Sequence, residues 1–303
     1  HCRSLYNTFK AVFTITEHKS EVVIPDTFAK KVRKWLGNNE ALFRSVSTQT
    51  ILFIFNEYTR EENVFNPLRD KRPMSVPEKP ERQYIDELAE ETSKTCDFCK
   101  YKLIQKAYNK NPIYKYPMFI WDLLPHAGAS QVHPHVHAFL DTKRYQGAIE
   151  NWRIASNLYN KDFPNRNYFS DLVSIHSALG LAVQYKSAVA FASLVPKKDN
   201  EVVVMCETPN DDFFTLMYFV YRAFLDDMEK LCYSSGIAFP SLDDNDVRGR
   251  LPAYARIITR GAVADIRSDI SSLELFTSPN ANTDPYKVIH YIKQSINKRS
   301  GAL

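Results

Sequence analysis

Residues 128–140, GASQVHPHVHAFL, place His133, His135 and His137 at alternate positions directly after a loop of small residues. The whole chain of 303 residues holds 8 histidines. Strand side chains alternate between faces, so the three imidazoles would share one face and Pro134, Val136 and Ala138 the other. Pro134 puts such a strand at the start or edge of a sheet, since it donates no ladder hydrogen bond. Three imidazoles on one face are costly to bury alone and demand polar partners, a metal or a ligand. A neutral imidazole is a nucleophile at physiological pH. Attack on phosphorus gives a phosphoramidate and divides one transfer into two. The preceding loop offers backbone N–H groups and the Ser130 hydroxyl, which suit phosphate oxygens and developing negative charge. On spacing alone three readings stand: nucleotidyl chemistry, a metal cluster and a structural set.

Other residues of chemical interest lie nearby. Cys96 and Cys99 form CDFC. A two-residue gap between thiols suits a tetrahedral zinc knuckle, whereas a continued helix would place both on a buried stripe with Leu103 and Ile104. Arg69, Lys71 and Arg72 in NPLRDKRP can fork onto phosphate oxygens or form an ordinary solvated turn. His126 precedes the triad; a ligand and a substrate contact are both open to it, and a solvent-facing loop histidine is the expectation. His176 and His290 belong to no motif and read as structural or surface residues.

The elements that must position these groups follow from pattern. KAVFTI reads as a strand. DTFAKKVRKWLG reads as a short helix with Asp26 as N-cap and Gly37 as its stop. QTILFIFNEY is a β-rich run, and FNPLRDKRPMSVPEKPER a Pro-rich connection without period. Residues 81–94 read as helix, with Tyr84, Ile85, Leu88 and Thr92 on one side. YPMFIWDLL reads as a buried strand that the loop PHAGASQV joins to the histidine strand. Residues 141–170 show no clear period and read as a connection between lobes. Strands are expected near 187–195 and 201–206. The three- and four-residue steps from Phe213 to Leu231 predict a helix over 211–232. ARIITRGAVADI reads as a strand and turn, and DPYKVIHYIKQSINK as a final helix capped by Asp284 with Pro285 at its first position.

Composition excludes several classes. Hydrophobic residues at 44% and charged residues at 24% are ordinary for a globular chain, and the length favours two lobes. A net charge of +4 without a block of like charges gives no nucleic-acid arm. The 5 cysteines are odd in number and suit thiols or a metal rather than a disulfide framework. SALGLAVQYKSAVAFASLV is broken by Gln184 and Lys186 and makes a poor membrane span. Neither G-x-G-x-x-G nor G-x-x-x-x-G-K-[ST] occurs, which disfavours Rossmann and Walker phosphate loops. No secretory signal pattern opens the chain, and the cytoplasm is the expected location. The first residue is His1 rather than Met, which leaves room for a removed upstream segment.

The stretch HPHVHAFL resembles the histidine triad motif. The longer GASQVHPHVH resembles the galactose-1-phosphate uridylyltransferase branch of that superfamily, which includes nucleotide-sugar and dinucleotide phosphorylases. NPLRDKRP is similar to the branch's Asn-Pro-Leu and Arg-x-Lys-Arg-Pro elements, and CDFC to its knuckle. The three stand in family order over residues 65–140. FASLVPKK, the 211–232 helix and SLELF resemble the second lobe faintly. The resemblance implies an α+β fold of two lobes like the histidine triad (HIT) fold, each an antiparallel sheet flanked by helices. The lobes would be residues 1–148, catalytic, and 149–303, divergent. It implies a nucleotide monophosphoryl group carried on His135, with His137 and Ser130 as further catalytic residues. Arg69, Arg72, Gly128 and Ser130 would hold phosphates. Cys96, Cys99 and His133 would bind zinc with His18 or His126 as fourth ligand; His133 is otherwise an orienting neighbour.

Two departures from the branch stand out. Uridylyltransferases and several phosphorylases carry Gln at the third triad place, where this chain has His137, as in the hydrolase branches. The family also places a further strand, a His-bearing loop and a helix between knuckle and triad, and the gap from Cys99 to His133 is too short for them. TITEHKSEVVIPDTFAKKVRKWL, ahead of the knuckle, looks like that segment displaced. The expected function is therefore nucleotidyl transfer from a nucleotide sugar or dinucleotide. Phosphorolysis or hydrolysis of the same substrates and a non-catalytic nucleotide-binding scaffold are the alternatives. Neither nucleic acid nor membrane is an expected partner, and a homodimer is compatible with this reading.

Charge-assisted hydrogen bonds are worth about 1.5–3 kcal/mol each. Arg69→Ala and Arg72→Ala should therefore each weaken nucleotide binding about tenfold or more, as read by calorimetry. Unchanged affinity in both would make NPLRDKRP a plain connection.

Overall fold

The computed structural model describes residues 2–66, 83, 113–129, 132, 134–243, 249–265 and 267–301. The chain begins with helix α1 (Cys2–Val12), strand β1 (Phe13–Glu21), helices α2 (Asp26–Trp35) and α3 (Glu40–Ser47), and strands β2 (Thr48–Asn56) and β3 (Glu62–Phe65). The strand expected from Lys10 starts only at Phe13. Thr8 and Val12, four residues apart, are both buried, which keeps this stretch helical. In α2 the N-cap is Pro25, whose carbonyl accepts from Ala29 N at 2.9 Å, so Asp26 is the first helical residue. The helix stops at Gly37 as expected, with φ at 64°. β1, β2 and β3 form a three-stranded antiparallel sheet in that order.

The remaining elements are β4 (Tyr116–Leu123), β5 (His137–Asp141), α4 (Gly147–Asp162), α5 (Tyr168–Ala178), β6 (Ala182–Tyr185), β7 (Ala188–Ala192), β8 (Val202–Cys206), α6 (Asp211–Arg222), β9 (Tyr233–Ala238), β10 (Ala253–Thr259), α7 (Ser272–Phe276) and α8 (Pro285–Arg299). All seven strands join one antiparallel sheet, ordered β5-β4-β9-β10-β8-β7-β6. It takes strands from both sides of residue 148. Directly paired residues share a face. On one face Met118, Ala238, Tyr254, Met205 and Val189 lie under α4 and α5, with Trp152, Tyr159, Tyr168 and Leu172 packed on them. On the other face Ala190, Val204, Ala255 and Ile257 lie under α6 and α8, against Phe213, Leu216, Val220 and Ile292. Antiparallel sheets flanked by helices are the architecture expected from the resemblance. Among the described residues no helix is long and apolar enough to cross a membrane.

Several elements differ from expectation. Residues 141–170 hold α4 and the start of α5 instead of an irregular connection. α4 buries Trp152, Ala155 and Tyr159 at helical spacing, but also Glu150, Arg153 and Ser156. Glu150 and Arg153 neutralise each other as an ion pair, so charged residues on the buried side mask the apolar period. The helix expected over 211–232 is α6 followed by a π-turn at Ala223–Asp227. The buried residues beyond it lead into β9, whose YSSGIA has Ile237 as its only β-branched residue, a weak signal for a central strand. The caps are as expected or follow the same chemistry: Asp284 accepts from Tyr286 N at 2.9 Å, and Asn210 from Phe213 N at 3.0 Å.

The two sheets are locked by a buried charged network. Arg256 on β10 donates to Glu61 at 2.6 Å and to Glu201 at 2.7 Å, and its guanidinium lies 4.8 Å from the Trp152 ring centre. Lys197 Nζ is 3.2 Å from Glu61. Burial works to raise both carboxyls. Arg256 and Lys197 overcome it at Glu61, which is held below the ordinary range, while Glu201 is left above it.

His176 in α5 is buried, with Nδ1 2.7 Å from the Leu172 carbonyl, while Nε2 accepts from Leu194 N at 3.3 Å. That pattern fixes a neutral ring with the proton on Nδ1, so the structural reading of His176 holds; His290 is exposed. Burial lowers the His176 pKa from 6.5 to about 4. Its contribution to stability is complete above pH 6.5. As pH falls towards about 4 the unfolded chain takes up a proton that the folded chain refuses, and stability is lost through that window. The loss is on the order of 3 kcal/mol. Unfolding of the wild type compared with His176→Gln across this window should show the steeper decline in the wild type; parallel curves would contradict it.

Candidate functional site

β5 is the edge strand of the large sheet, and His137 is its first residue. His137 pairs with Ile120 on β4, Ile120 with Gly236 on β9, and Gly236 with Arg256 on β10. These four residues therefore form one row across the face that carries α4 and α5. Three strand spacings of about 4.8 Å separate its ends by about 14 Å. The helices cover the Met118 row from Met118 to Val189 and reach this one only at Arg256, under Trp152, leaving it open at Ile120, which is 39% exposed. A Cβ built on Gly236 would meet nothing within 4 Å. The floor continues to Asp122 and Ser234, which pair in the next row.

The histidine strand is shorter than expected. Pro134–Val136 are not in a strand, because Pro134 donates no ladder hydrogen bond and the chain pairs only from His137 onward. His135 is nevertheless brought beside His137, with ring centres 4.9 Å apart in an edge-to-face arrangement. His135 is half-buried and His137 exposed. His137 stacks along Phe139, 6.5 Å away with an interplanar angle of 15°. Ser130 and His133 lie outside the described residues, as do Arg69, Arg72, Cys96 and Cys99.

The loop before the triad is a single 3₁₀ turn, Pro125–Ala127, flanked by two residues of positive φ. Gly128, at φ 107°, suits that conformation. Leu124, at φ 73° and ψ 156°, does not, and such a conformation costs about 1–3 kcal/mol. Leu124 is buried among Val132, Leu231, Cys232 and Val263, which hold it there. The amides of Ala127, Gly128 and Ala129 all donate within the turn, to Leu124, Pro125 and Leu124 carbonyls. Gly128 thus meets the site through its bare Cα, and a Cβ there would lie 3.9 Å from Asp122 Oδ2.

His126 does not face solvent, contrary to expectation. Its side chain is only 10% exposed, and its buried Nε2 lies 3.6 Å from Asp269 Oδ1 with, among the described residues, no hydrogen-bond partner. Asp269 is engaged by Arg260 through Nε at 2.9 Å and Nη2 at 2.8 Å, and by Gly261 N at 3.0 Å. Burial works to raise the Asp269 carboxyl, but Arg260 holds it below the ordinary range. A guanidinium on that carboxylate opposes a metal cation at His126. His18 lies on β1, exposed and edge-on to Phe53, with ring centres 4.9 Å apart. Among the described residues neither His18 nor His126 belongs to a group of three or more His, Cys, Asp or Glu that could hold a metal; the other expected ligands, Cys96, Cys99 and His133, lie outside them.

Gly236, Asp122, Ser234 and the Arg260–Asp269 pair were not evident as site residues from sequence. The lone glycine in YSSGIA was a usable signal, since Gly inside a strand marks close approach or an open surface. Arg260 carried none: its carbonyl acceptor, Ala127, is 133 positions away.

No family model matches this chain, and no curated protein matches it. Among solved structures, 17 chains match. A uridylyltransferase superposes with a TM-score of 0.52 at 14% identity, over 82% of this chain and 76% of that one. A mutant uridylyltransferase superposes at 0.50 and 13% identity, over 82% and 79%. An ADP-glucose phosphorylase from Arabidopsis thaliana with bound ADP-glucose matches at 0.45 and 10% identity, over 92% and 82%. At these identities the likeness is one of fold. The chain has the uridylyltransferase fold that its triad, knuckle and NPLRDKRP motifs led the sequence to anticipate.

The open floor has a direct test. Gly236 has no left-handed φ, and a side chain in a strand removes the conformational cost of glycine. Gly236→Leu should therefore fold as well as the wild type while filling the row between His137 and Arg256. If a nucleotide sits on this face, its affinity by calorimetry should drop about tenfold or more, the scale of a lost 1.4 kcal/mol. Unchanged affinity would move the ligand off this face.

Proposed function

We propose that this chain is a nucleotidyltransferase that passes a nucleotide monophosphoryl group from a nucleotide sugar, or a related pyrophosphate-linked nucleotide, through a covalent adduct on His135. The observation that carries this reading is the pair of imidazoles, 4.9 Å apart, at the open edge of the sheet beside the Pro125–Gly128 region. One imidazole can attack while its neighbour handles a proton. A ring nitrogen of His135 forms the N–P bond as the α-phosphorus–oxygen bond to the sugar phosphate breaks. His137 gives a proton to that leaving oxygen. In the second half an acceptor oxygen attacks the same phosphorus, His137 takes its proton, and the N–P bond breaks. Asp122 is an acceptor-only carboxylate on the floor, so it suits a ribose hydroxyl rather than a phosphate. Arg69, Arg72 and Ser130 are proposed phosphate contacts.

His137 also favours a second reading of the same intermediate. An imidazole can deprotonate water or orthophosphate, which an amide at this place cannot. Hydrolysis and phosphorolysis therefore compete with transfer. Zinc at Cys96, Cys99 and His133 remains a proposal from their spacing and the resemblance; when bound it would brace the knuckle against the triad strand. The division into lobes 1–148 and 149–303 is likewise proposed, with the shared sheet as their junction.

Incubation with nucleotide sugars and dinucleoside polyphosphates, followed by intact mass, should reveal a nucleotidyl adduct. His135→Ala should abolish it while thermal unfolding stays close to wild type. An adduct of equal yield in the variant would remove His135 from the mechanism, and no adduct in the wild type with any donor would favour the non-catalytic scaffold.

A further inference from the structure

The turn that precedes the triad is strained, donates its own amides inward, and has one carbonyl gripped from far along the chain. Arg260, just after β10, donates through Nη1 to Ala127 O at 2.7 Å and to Ser234 Oγ at 3.1 Å. The other side of the same guanidinium is clamped by Asp269. Asp269 is itself fixed: its backbone carbonyl accepts from Lys198 Nζ, and Lys198 pairs with Glu274 at 2.8 Å. His126 of the turn packs against this assembly so closely that a Cβ on Gly261 would lie 2.7 Å from its Nε2. Side chains of Arg260 and Asp269 are 11% and 12% exposed, so the assembly is dry enough to be stiff.

We propose that Arg260 and Asp269 are positioning residues for the proposed nucleotidyl transfer. They set the Leu124–Ala129 turn, and through it the entry of the triad, from the C-terminal half of the chain. The inference rests on the reading of His135 as the carrier of the adduct, but the clamp itself does not. A planar fork is required, because Arg260 must meet a carboxylate on one edge and a carbonyl on the other. The ammonium of lysine cannot span both. Each acts through the turn. Gly261 belongs to the device because it admits His126 to the clamp.

The test uses the whole chain and two readouts. Amide exchange at Gly128 and Ala129, followed by mass spectrometry or NMR, reports the turn without any chemistry. Arg260→Ala and Arg260→Lys should both speed exchange there tenfold or more while exchange in β7 and β8 is unchanged. The second readout is the rate of adduct formation on His135. It should fall about a hundredfold in Arg260→Ala, the scale of a misplacement near 1 Å, with the nucleotide KM changing less than kcat. Low-millimolar guanidinium should restore much of that rate by refilling the cavity. Rescue of the rate with the thermal midpoint of the variant unchanged separates positioning from a merely structural role, in which rate and midpoint would recover together. Asp269→Asn, which leaves Arg260 in place with a weaker grip, serves if Arg260→Ala fails to fold.

Unchanged exchange at Gly128 and Ala129 in these variants overturns the clamp, whatever the wild type catalyses. Faster exchange with an unchanged adduct rate overturns its positioning role. Faster exchange, a slowed rate and rescue support it. If the wild type forms no adduct, exchange alone decides the clamp, and the nucleotidyl-histidine reading fails separately.

Discussion

β4 hydrogen-bonds to β9 over Met118–Leu123, and the arrangement of the histidine edge depends on that pairing. The strand that leads to the triad comes from the first half of the sequence. The strand it pairs with comes more than a hundred positions later. Because antiparallel pairing fixes which residues stand opposite one another, the register that puts Ile120 beside Gly236 also puts His137 on the face bearing the open floor. A slip of one residue would turn His137 to the face covered by α6 and α8. The pairing also brings the Pro125–Ala127 turn over Ser234 and within reach of Arg260. Thus one ladder sets the face of the triad, the floor in front of it and the anchor behind it.

Charge is arranged around this floor in closed groups. Arg256 is answered by Glu61 and Glu201, and Arg260 by Asp269. Each guanidinium is buried with its carboxylate and with further hydrogen bonds, the condition under which buried ions are tolerated. Their function is geometric: the first joins the small sheet to the large one, and the second joins the turn to the strand β10. Asp122 lies on the open face, where its charge also acts on Arg260.

The apolar layers divide the work in the same way. α6 and α8 seal one face of the sheet completely over β7 and β8. α4 and α5 seal the opposite face from Met118 to Val189 and reach the Ile120 row only at Arg256, under Trp152. The open strip is therefore a consequence of helix placement on a continuous sheet. Strain at Leu124 sits at the end of that strip, held by a small apolar cluster of its own. Local strain of this kind persists only where the surroundings over-determine it.

Local pattern by itself determined much of this protein. The alternate histidines, CDFC and NPLRDKRP marked the fold, and Gly37 and Asp284 marked helix ends, because each depends on neighbours within a few residues. Tertiary structure decided what depends on residues far apart. α4 escaped notice because Glu150 and Arg153 neutralise each other on a buried side that should read as apolar. β9 escaped because small residues suffice at the centre of a sheet whose neighbours supply the bulk. His126 looked like a loop histidine until Asp269 and Gly261 enclosed it. Periodicity records how a segment meets an average interior. It carries no record of which distant carboxylate, glycine or carbonyl will stand opposite, and that is the information from which the floor at Gly236 and the anchor at Arg260 are made.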